Sequence, residues 1–212
     1  MHWDHQAQFA GFYMAADKGF YEREGLDVTI VRGGPDIRSC EMVVEGQAQF
    51  CASMLSTALE QWAKGVDIVL VSQVVNRSNF EVIAWKRPEG PDGPTILSPS
   101  DLEGRRVTVW EQDFLLPYKA FFDRHDVHPK LLPQYYTLSL FVNHSSDACA
   151  AMSYNEHHWL LQHGVKPEDI TVFPLWQYGV ALPEDGIYTT SEYQQEHPEI
   201  CAAVARATME GW

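Results

Sequence analysis

A chain of 212 residues with ordinary hydrophobic content is long enough to bury a sizeable core, as one domain or as two small lobes. Its formal net charge of −14, with no basic stripe, argues against nucleic acid or an anionic membrane surface as a partner. No apolar run approaches the roughly 20 residues needed to span a bilayer, so no direct membrane insertion is expected.

The first 28 residues set the pattern of the chain. Phe9, Phe12, Tyr13, Ala16 and Phe20 recur at helical spacing, which predicts an amphipathic helix over 8–19. Ahead of it, His2 to Gln6 form a polar and aromatic cluster at a strand-to-helix junction, the end of an α/β sheet where ligands bind. The β-branched run 27–31 reads as a strand, and 32–36 as a turn. A helix over 37–45, a strand over 49–53 and a helix over 54–64 come next. The nearly continuous apolar run 66–75 reads as a strand buried on both faces of a parallel sheet. This β-α-β-α-β rhythm predicts an α/β fold with doubly wound sheets.

A further strand is expected over 80–86. The Pro/Gly-rich stretch 87–94 is the strongest linker signal, and the boundary between two lobes is placed there. The second lobe is read as a strand over 106–110, a helix over 114–124 with Pro117 in its first turn, a strand over 134–137 and a short helix over 138–142. A small-residue strand over 147–152, a helix over 157–163 and a strand over 170–175 complete it. Residues 179–182 return the chain to the first lobe, where 183–188 form a turn leading to a strand and two helices close the chain over 191–197 and 199–212. The expected organisation is residues 1–88 plus 183–212 as lobe 1 and 95–180 as lobe 2, with hinges near 87–95 and 178–184.

Several residues stand out as candidate ligand contacts. Trp3, Asp4 and His5 suit stacking on and hydrogen bonding to a flat heteroaromatic ring, with Gln8 beginning the helix behind them. Ser53, and Gln73 to Asn76, follow strands at the same carboxyl edge, and Trp110 with Glu111 follows the first strand of lobe 2. Tyr154, Asn155 and Glu156 follow a strand and open a helix, where backbone donors, an amide and a carboxylate converge. The competing reading is that Trp3 and Trp110 fill the core, Ser53 ends a turn, and Asn155 and Glu156 cap the helix. The nine histidines form no H-E-x-x-H motif, and His158 and His163 are not four residues apart, so no metal is expected. Cys40, Cys51, Cys149 and Cys201 form no C-x-x-C pair; buried free thiols are the default, and a disulfide stays open. Neither G-x-S-x-G nor G-x-x-x-x-G-K-[ST] occurs, so hydrolase and nucleotide-triphosphatase readings have no motif.

The run Gln8, Phe9, Ala10, Gly11, Tyr13, Ala15, Lys18, Gly19, Phe20, Tyr21, Gly25, Leu26, Asp27, Val28 resembles the opening of the thiamine-pyrimidine-synthase-like group of type II periplasmic binding proteins. Residues 101–107 are similar to the D-L-x-G-x-x-V opening of the second lobe in that group, and Tyr154-Asn155-Glu156 resembles part of its solute pocket. The resemblance implies a two-lobed Venus-flytrap receptor that binds a small ligand between its lobes. It implies a thiamine-precursor-like pyrimidine as ligand, an ABC transporter permease as partner, and a place in the periplasm or on the extracellular face of the membrane. It implies no catalysis and no cofactor, and a monomer. It also implies that relatives continue past the position of Trp212. Members that are pyrimidine synthases use a lysine for pyridoxal phosphate, a histidine and a C-C-C-F-C iron-binding run. The matching segment 172–180 holds Phe173, Trp176 and Tyr178 but no cysteine, which weighs against that chemistry, and Tyr178 is counted with the ligand contacts. The same domain also serves as the sensor input of membrane signalling proteins, which is the rival reading.

Overall fold

The computed structural model describes every residue except Pro35, Gln112 and Asp113, so Pro35 of the predicted 32–36 turn lies outside the described residues. The chain forms two compact units, one of Met1–Asn76 with Pro183–Trp212 and one of Arg77–Leu182. The division falls earlier than the linker-rich 87–94, because the strand 80–85 pairs with strands of the second unit.

The first unit is built on a three-stranded sheet of β1 (Cys51–Met54), β8 (Asp185–Thr189) and β2 (Val69–Gln73), with β8 in the middle and antiparallel to both neighbours. Side chains alternate across the strands, so the sheet presents two faces. Cys51 and Tyr188 point to one face, where they pack with Cys40 and Val43 of α3 (Ser39–Val44) and Ala58 of α4 (Leu55–Ala63). Ala52 and Ile187 point to the other. They meet Phe9 of the short 3-10 turn Ala7–Phe9, Phe12 of α1 (Ala10–Asp17) and Val204 of α9 (Pro198–Gly211). Each large side chain buried there contributes roughly 1.5–3 kcal/mol. The short helices α2 (Phe20–Arg23) and α8 (Ser191–Glu196) border this layer.

The second unit holds a five-stranded sheet in the order β5 (Lys130–Pro133), β4 (Arg106–Val109), β6 (Ala148–Met152), β3 (Phe80–Trp85), β7 (Ile170–Pro174). Strand β4 is parallel to β5 and β6, and β3 is antiparallel to β6 and β7. Tyr118 and Phe121 of α5 (Leu115–Arg124) cover one face through Phe80 and Phe173. Phe141 of α6 (Ser139–Val142) and Leu160 of α7 (His158–Gln162) cover the other through Ile83, Cys149 and Ile170. Both sheets are thus wound with helices on two faces, as expected, but each carries one reversed strand rather than being all parallel.

Three expectations are corrected. Residues 27–31 take no regular secondary structure and pair with no described strand; they line a cavity instead. The run 66–75 yields β2 over 69–73, half-exposed because it is an edge strand. The strand read at 134–137 lies at Lys130–Pro133, where a short exposed edge pairs with β4.

Candidate functional site

In the first unit β1 and β2 end at Met54 and Gln73, beside the first residues of β8, so Ser53, Gln73 and Asp185 share one edge of the sheet. Asp185 anchors this edge. It is 1% exposed, its Oδ1 accepts from Nε2 of His2 at 2.6 Å, and its Oδ2 accepts from the Gln8 amide at 3.3 Å. Gln73 donates to the carbonyls of Val75, Glu184 and Asp185, which ties the ends of β2 and β8 together. Gln8 is therefore a buried structural residue.

The other candidates of this unit stand apart from that anchor. Trp3 is half-buried against the Phe9, Phe12 and Ile187 cluster. Asp4 pairs with Arg32, and the exposed His5 pairs with the Tyr13 hydroxyl. Ser53 is buried, and its Oγ has no hydrogen-bond partner among the described residues. Asn76 is exposed. Gln73 stands at the edge where the sequence places it, whereas the sequence reading missed Asp185, whose visible signal was a carboxylate at the head of the strand Asp185–Thr189.

The same unit contains a cavity of about 640 Å³ lined by Leu26–Arg32 on one side and Gln49–Ala52 on another. None of the predicted contact residues lines it.

In the second unit the strands β4, β5, β6 and β7 end together beside the start of β3. The topology thus brings Trp110, Glu111, Tyr154, Asn155 and Glu156 to one sheet edge, along with Arg77, Ser78 and Asn79. Beneath it lies an aromatic floor. Trp110 is 7% exposed, 5.8 Å from Phe114 and 6.1 Å from Tyr118 between ring centres, and its indole N–H donates to the Tyr135 carbonyl at 3.1 Å. Trp110 is thereby mostly enclosed, close to the core-filling alternative. Buried Gln134 links β4 to β6, accepting from Thr108 and donating to the Ala150 carbonyl.

Above the floor the chain leaves β6 in a single π-helical turn, Ser153–His157, before α7. Such turns interrupt the usual i→i+4 pattern and recur at functional sites. Glu156 folds back so that its Oε2 accepts from the Met152 N–H at 2.9 Å, while its Oε1 accepts from the Asn155 amide at 2.8 Å. These are local capping contacts, to which the Glu156 backbone N–H adds a third donor, leaving the carboxylate part of its accepting capacity. Burial pushes the Glu156 carboxyl above its usual range, against the lowering pull of the Met152 and Asn155 donors. Tyr154 is half-buried and Asn155 exposed. Ser153 donates to Oδ1 of Asn79, and Nδ1 of His157 lies 2.7 Å from Oε2 of Glu81. Burial also raises the Glu81 carboxyl, with His157 pulling it down. Glu81 and His157 were missed; the signal was one charged residue inside the apolar strand 80–85. Arg77 lies 4.7 Å from the Trp176 ring at the rim of this unit.

Glu111 is exposed at the edge. Tyr178 is not brought to this group. It packs edge-on against Phe121 and Phe173, and its carbonyl accepts from His125 Nε2 at 3.2 Å, toward the C-terminal half of α5. Among the described residues no group of three or more His, Cys, Asp or Glu side chains is arranged to hold a metal, and no helix is long and apolar enough to cross a membrane.

Two α/β units, one on an antiparallel three-stranded sheet and one on a mixed five-stranded sheet, joined by two chain crossings, make this a periplasmic-binding-protein fold. The periplasmic aliphatic sulphonate-binding protein of Escherichia coli superposes with a TM-score of 0.69 at 14% identity, over 95% of this chain and 68% of that one. The periplasmic VFT2 domain of BvgS from Bordetella pertussis superposes at 0.57 and 15% identity, over 92% and 75%. Residues 6–212 match the family described as NMT1/THI5 like, and the chain belongs to that family. A curated relative, the formylaminopyrimidine-binding protein of Halalkalibacterium halodurans, is 25% identical over 99% of this chain. The chain spans 63% of that relative's length. Both the sulphonate-binding and the formylaminopyrimidine-binding protein are named as binding proteins.

Proposed function

We propose that the chain is the solute-recognising part of an extracytoplasmic receptor that hands a small planar heteroaromatic, of the aminopyrimidine class, to an ABC transporter permease. The observation that supports this most is the end-to-end match, over 99% of the chain, to a protein named for binding formylaminopyrimidine. The site chemistry agrees with it. On the second unit Tyr154 offers an aromatic face, and Asn155 and Glu156 offer an amide and carboxylate lone pairs to ring nitrogens and an exocyclic amine. On the first unit Trp3, Asp4 and His5 offer the same chemistry.

Native mass spectrometry of gently purified protein, followed by a thermal-shift screen of aminopyrimidines, tests the reading. A ligand at about 100 times its Kd raises stability by about 2.7 kcal/mol, a shift of several degrees. Asn155→Ala should weaken such binding about tenfold while leaving the empty protein's melting nearly unchanged. No carried species and no shift with any pyrimidine would remove the ligand class.

A second reading, the ligand-sensing input of a membrane signalling protein, is favoured by the likeness to the BvgS VFT2 domain. Ligand-stimulated ATP hydrolysis by a co-purified permease in proteoliposomes supports import. Ligand binding with no such stimulation shifts the assignment to sensing.

A further inference from the structure

Cys40 is the second residue of α3 and Cys51 the first of β1, and the Cys51 thiol donates to the Cys40 sulfur at 3.7 Å. Both are buried in one cluster with Val43, Ala58, Ile68 and Tyr188. We infer that Cys40 and Cys51 are a modification site, a thiol pair that closes to an intramolecular disulfide when a low-molecular-weight disulfide reaches it.

The geometry requires little movement. A disulfide holds its sulfurs about 2.05 Å apart, so the pair must close by about 1.7 Å, within the reach of side-chain rotation and a small shift of α3. Packing of α3 on β1 already aims the two side chains at each other. Ser39, which precedes Cys40, donates to the Ala52 carbonyl beside Cys51, and this bond holds the two segments in register.

Both thiols are buried, and the Cys51 side chain turns to the Cys40 face of the sheet, away from the Ala52 and Ile187 face that borders the cavity, so the reagent enters when α3 opens locally from β1. The Cys51 thiolate attacks one sulfur of the reagent, forming a mixed disulfide and releasing one thiol. The Cys40 thiolate then attacks the Cys51 sulfur, forming the Cys40–Cys51 bond and releasing the second thiol. Two S–H bonds are lost and one S–S bond forms, while the reagent gains both electrons and both protons as two thiols. The hydrogen bond to Cys40, together with burial, holds the Cys51 thiol well above its usual range, so the exchange is slow at neutral pH and quickens as pH rises.

The remaining cysteines serve as internal controls. Cys149 is buried in β6 of the other unit and Cys201 lies in α9, and both are free thiols. The bond would clip the short loop 40–51 and tie α3 to β1 across the cavity wall, restricting the unfolded chain. This inference concerns the first unit alone and does not rest on the proposed ligand or compartment.

The folded protein is incubated with 2-hydroxyethyl disulfide at neutral and mildly alkaline pH, and its free thiols are then counted by maleimide labelling after denaturation, with peptide mapping. We expect two of the four thiols to be lost, a mass decrease of two hydrogens, a linked peptide joining Cys40 to Cys51, and a Tm higher by several degrees. Dithiothreitol should reverse all of these, and the rate should rise with pH. In Cys51→Ser the other three thiols should stay free. Four free thiols at the end, a stable mixed disulfide on Cys51, or a link through Cys149 or Cys201 would overturn the inference. The wild-type result decides this even where the variant does not fold.

Discussion

Nδ1 of His157 stands 2.7 Å from Oε2 of Glu81, which joins the π-helical turn after β6 to the neighbouring strand β3. Burial is the larger influence on Glu81 and raises its carboxyl above the ordinary 4.5, with His157 opposing. A carboxyl raised by folding contributes stability that is fully present below its unfolded pKa and is lost as pH rises through the folded value. The stability of the native protein relative to Glu81→Gln should therefore fall as pH is raised from about 4.5 upward. His157→Ala removes the opposing pull and leaves a buried carboxyl without that partner, a loss of about 1–3 kcal/mol that should grow over the same window. Urea titrations across the pH series measure both. Parallel profiles for all three proteins would show that the pair does not couple the turn to the sheet.

Ser53 gives a test of opposite sign. Its Oγ is buried on β1 with no hydrogen-bond partner among the described residues, so the hydroxyl carries a desolvation cost without a bond in return. Ser53→Ala should leave stability unchanged or raise it by up to about 1 kcal/mol. If Ser53 instead contacts ligand, the same variant should bind pyrimidines more weakly. Melting with and without ligand separates the two roles.

What could be read in advance follows physical locality. The helices 54–64, 114–124 and 199–212 and the strands 80–86, 147–152 and 170–175 were legible because periodicity and flanking glycines or prolines act within a few residues. Strand partnership is not local. Residues 27–31 have the composition of a strand, but a strand exists only where another backbone completes its ladder. Phe80–Trp85 was recognisable as a strand, yet its membership of the second unit depends on β6 and β7, far along the chain. The same limit applies to the site. Tyr154 to Glu156 could be placed at a strand end from the sequence, whereas the bonds from Gln8 to Asp185 and from His157 to Glu81 span 177 and 76 residues.

Arg106 and Asp147 contribute to stability on the acid side. Asp147 accepts from the backbone N–H of Arg106 at 2.8 Å and from its guanidinium at 2.8 and 3.2 Å, which pins the start of β4 beside the start of β6. Burial acts to raise the Asp147 carboxyl, but the Arg106 contacts outweigh it and hold the group below its ordinary 3.8. A lowered carboxyl contributes stability that is present above its unfolded pKa and is lost as pH falls through the folded value. Asp147→Asn should lose about 1–3 kcal/mol at neutral pH, and the difference from the native protein should shrink below about pH 4. A constant difference down to the acid transition would assign the loss to packing rather than to charge.

The crossing of α1 and α9 depends on the absence of side chains at two glycines. A Cβ at Gly211 would lie 2.1 Å from the Gly11 carbonyl oxygen and 2.9 Å from the Ala15 nitrogen, both backbone atoms that cannot swing aside. Gly11 is covered from the other direction by the Trp212 indole, which also meets Phe12 edge-on at 6.5 Å. Gly211→Ala must therefore push the last turn of α9 away from α1, at an expected loss of about 1–3 kcal/mol. The Phe9, Phe12 and Val204 cluster sits beneath that crossing. Faster amide hydrogen exchange in α1 as well as α9 should accompany the lower Tm. Unchanged melting with exchange confined to the final turn would show that this turn frays without supporting the core.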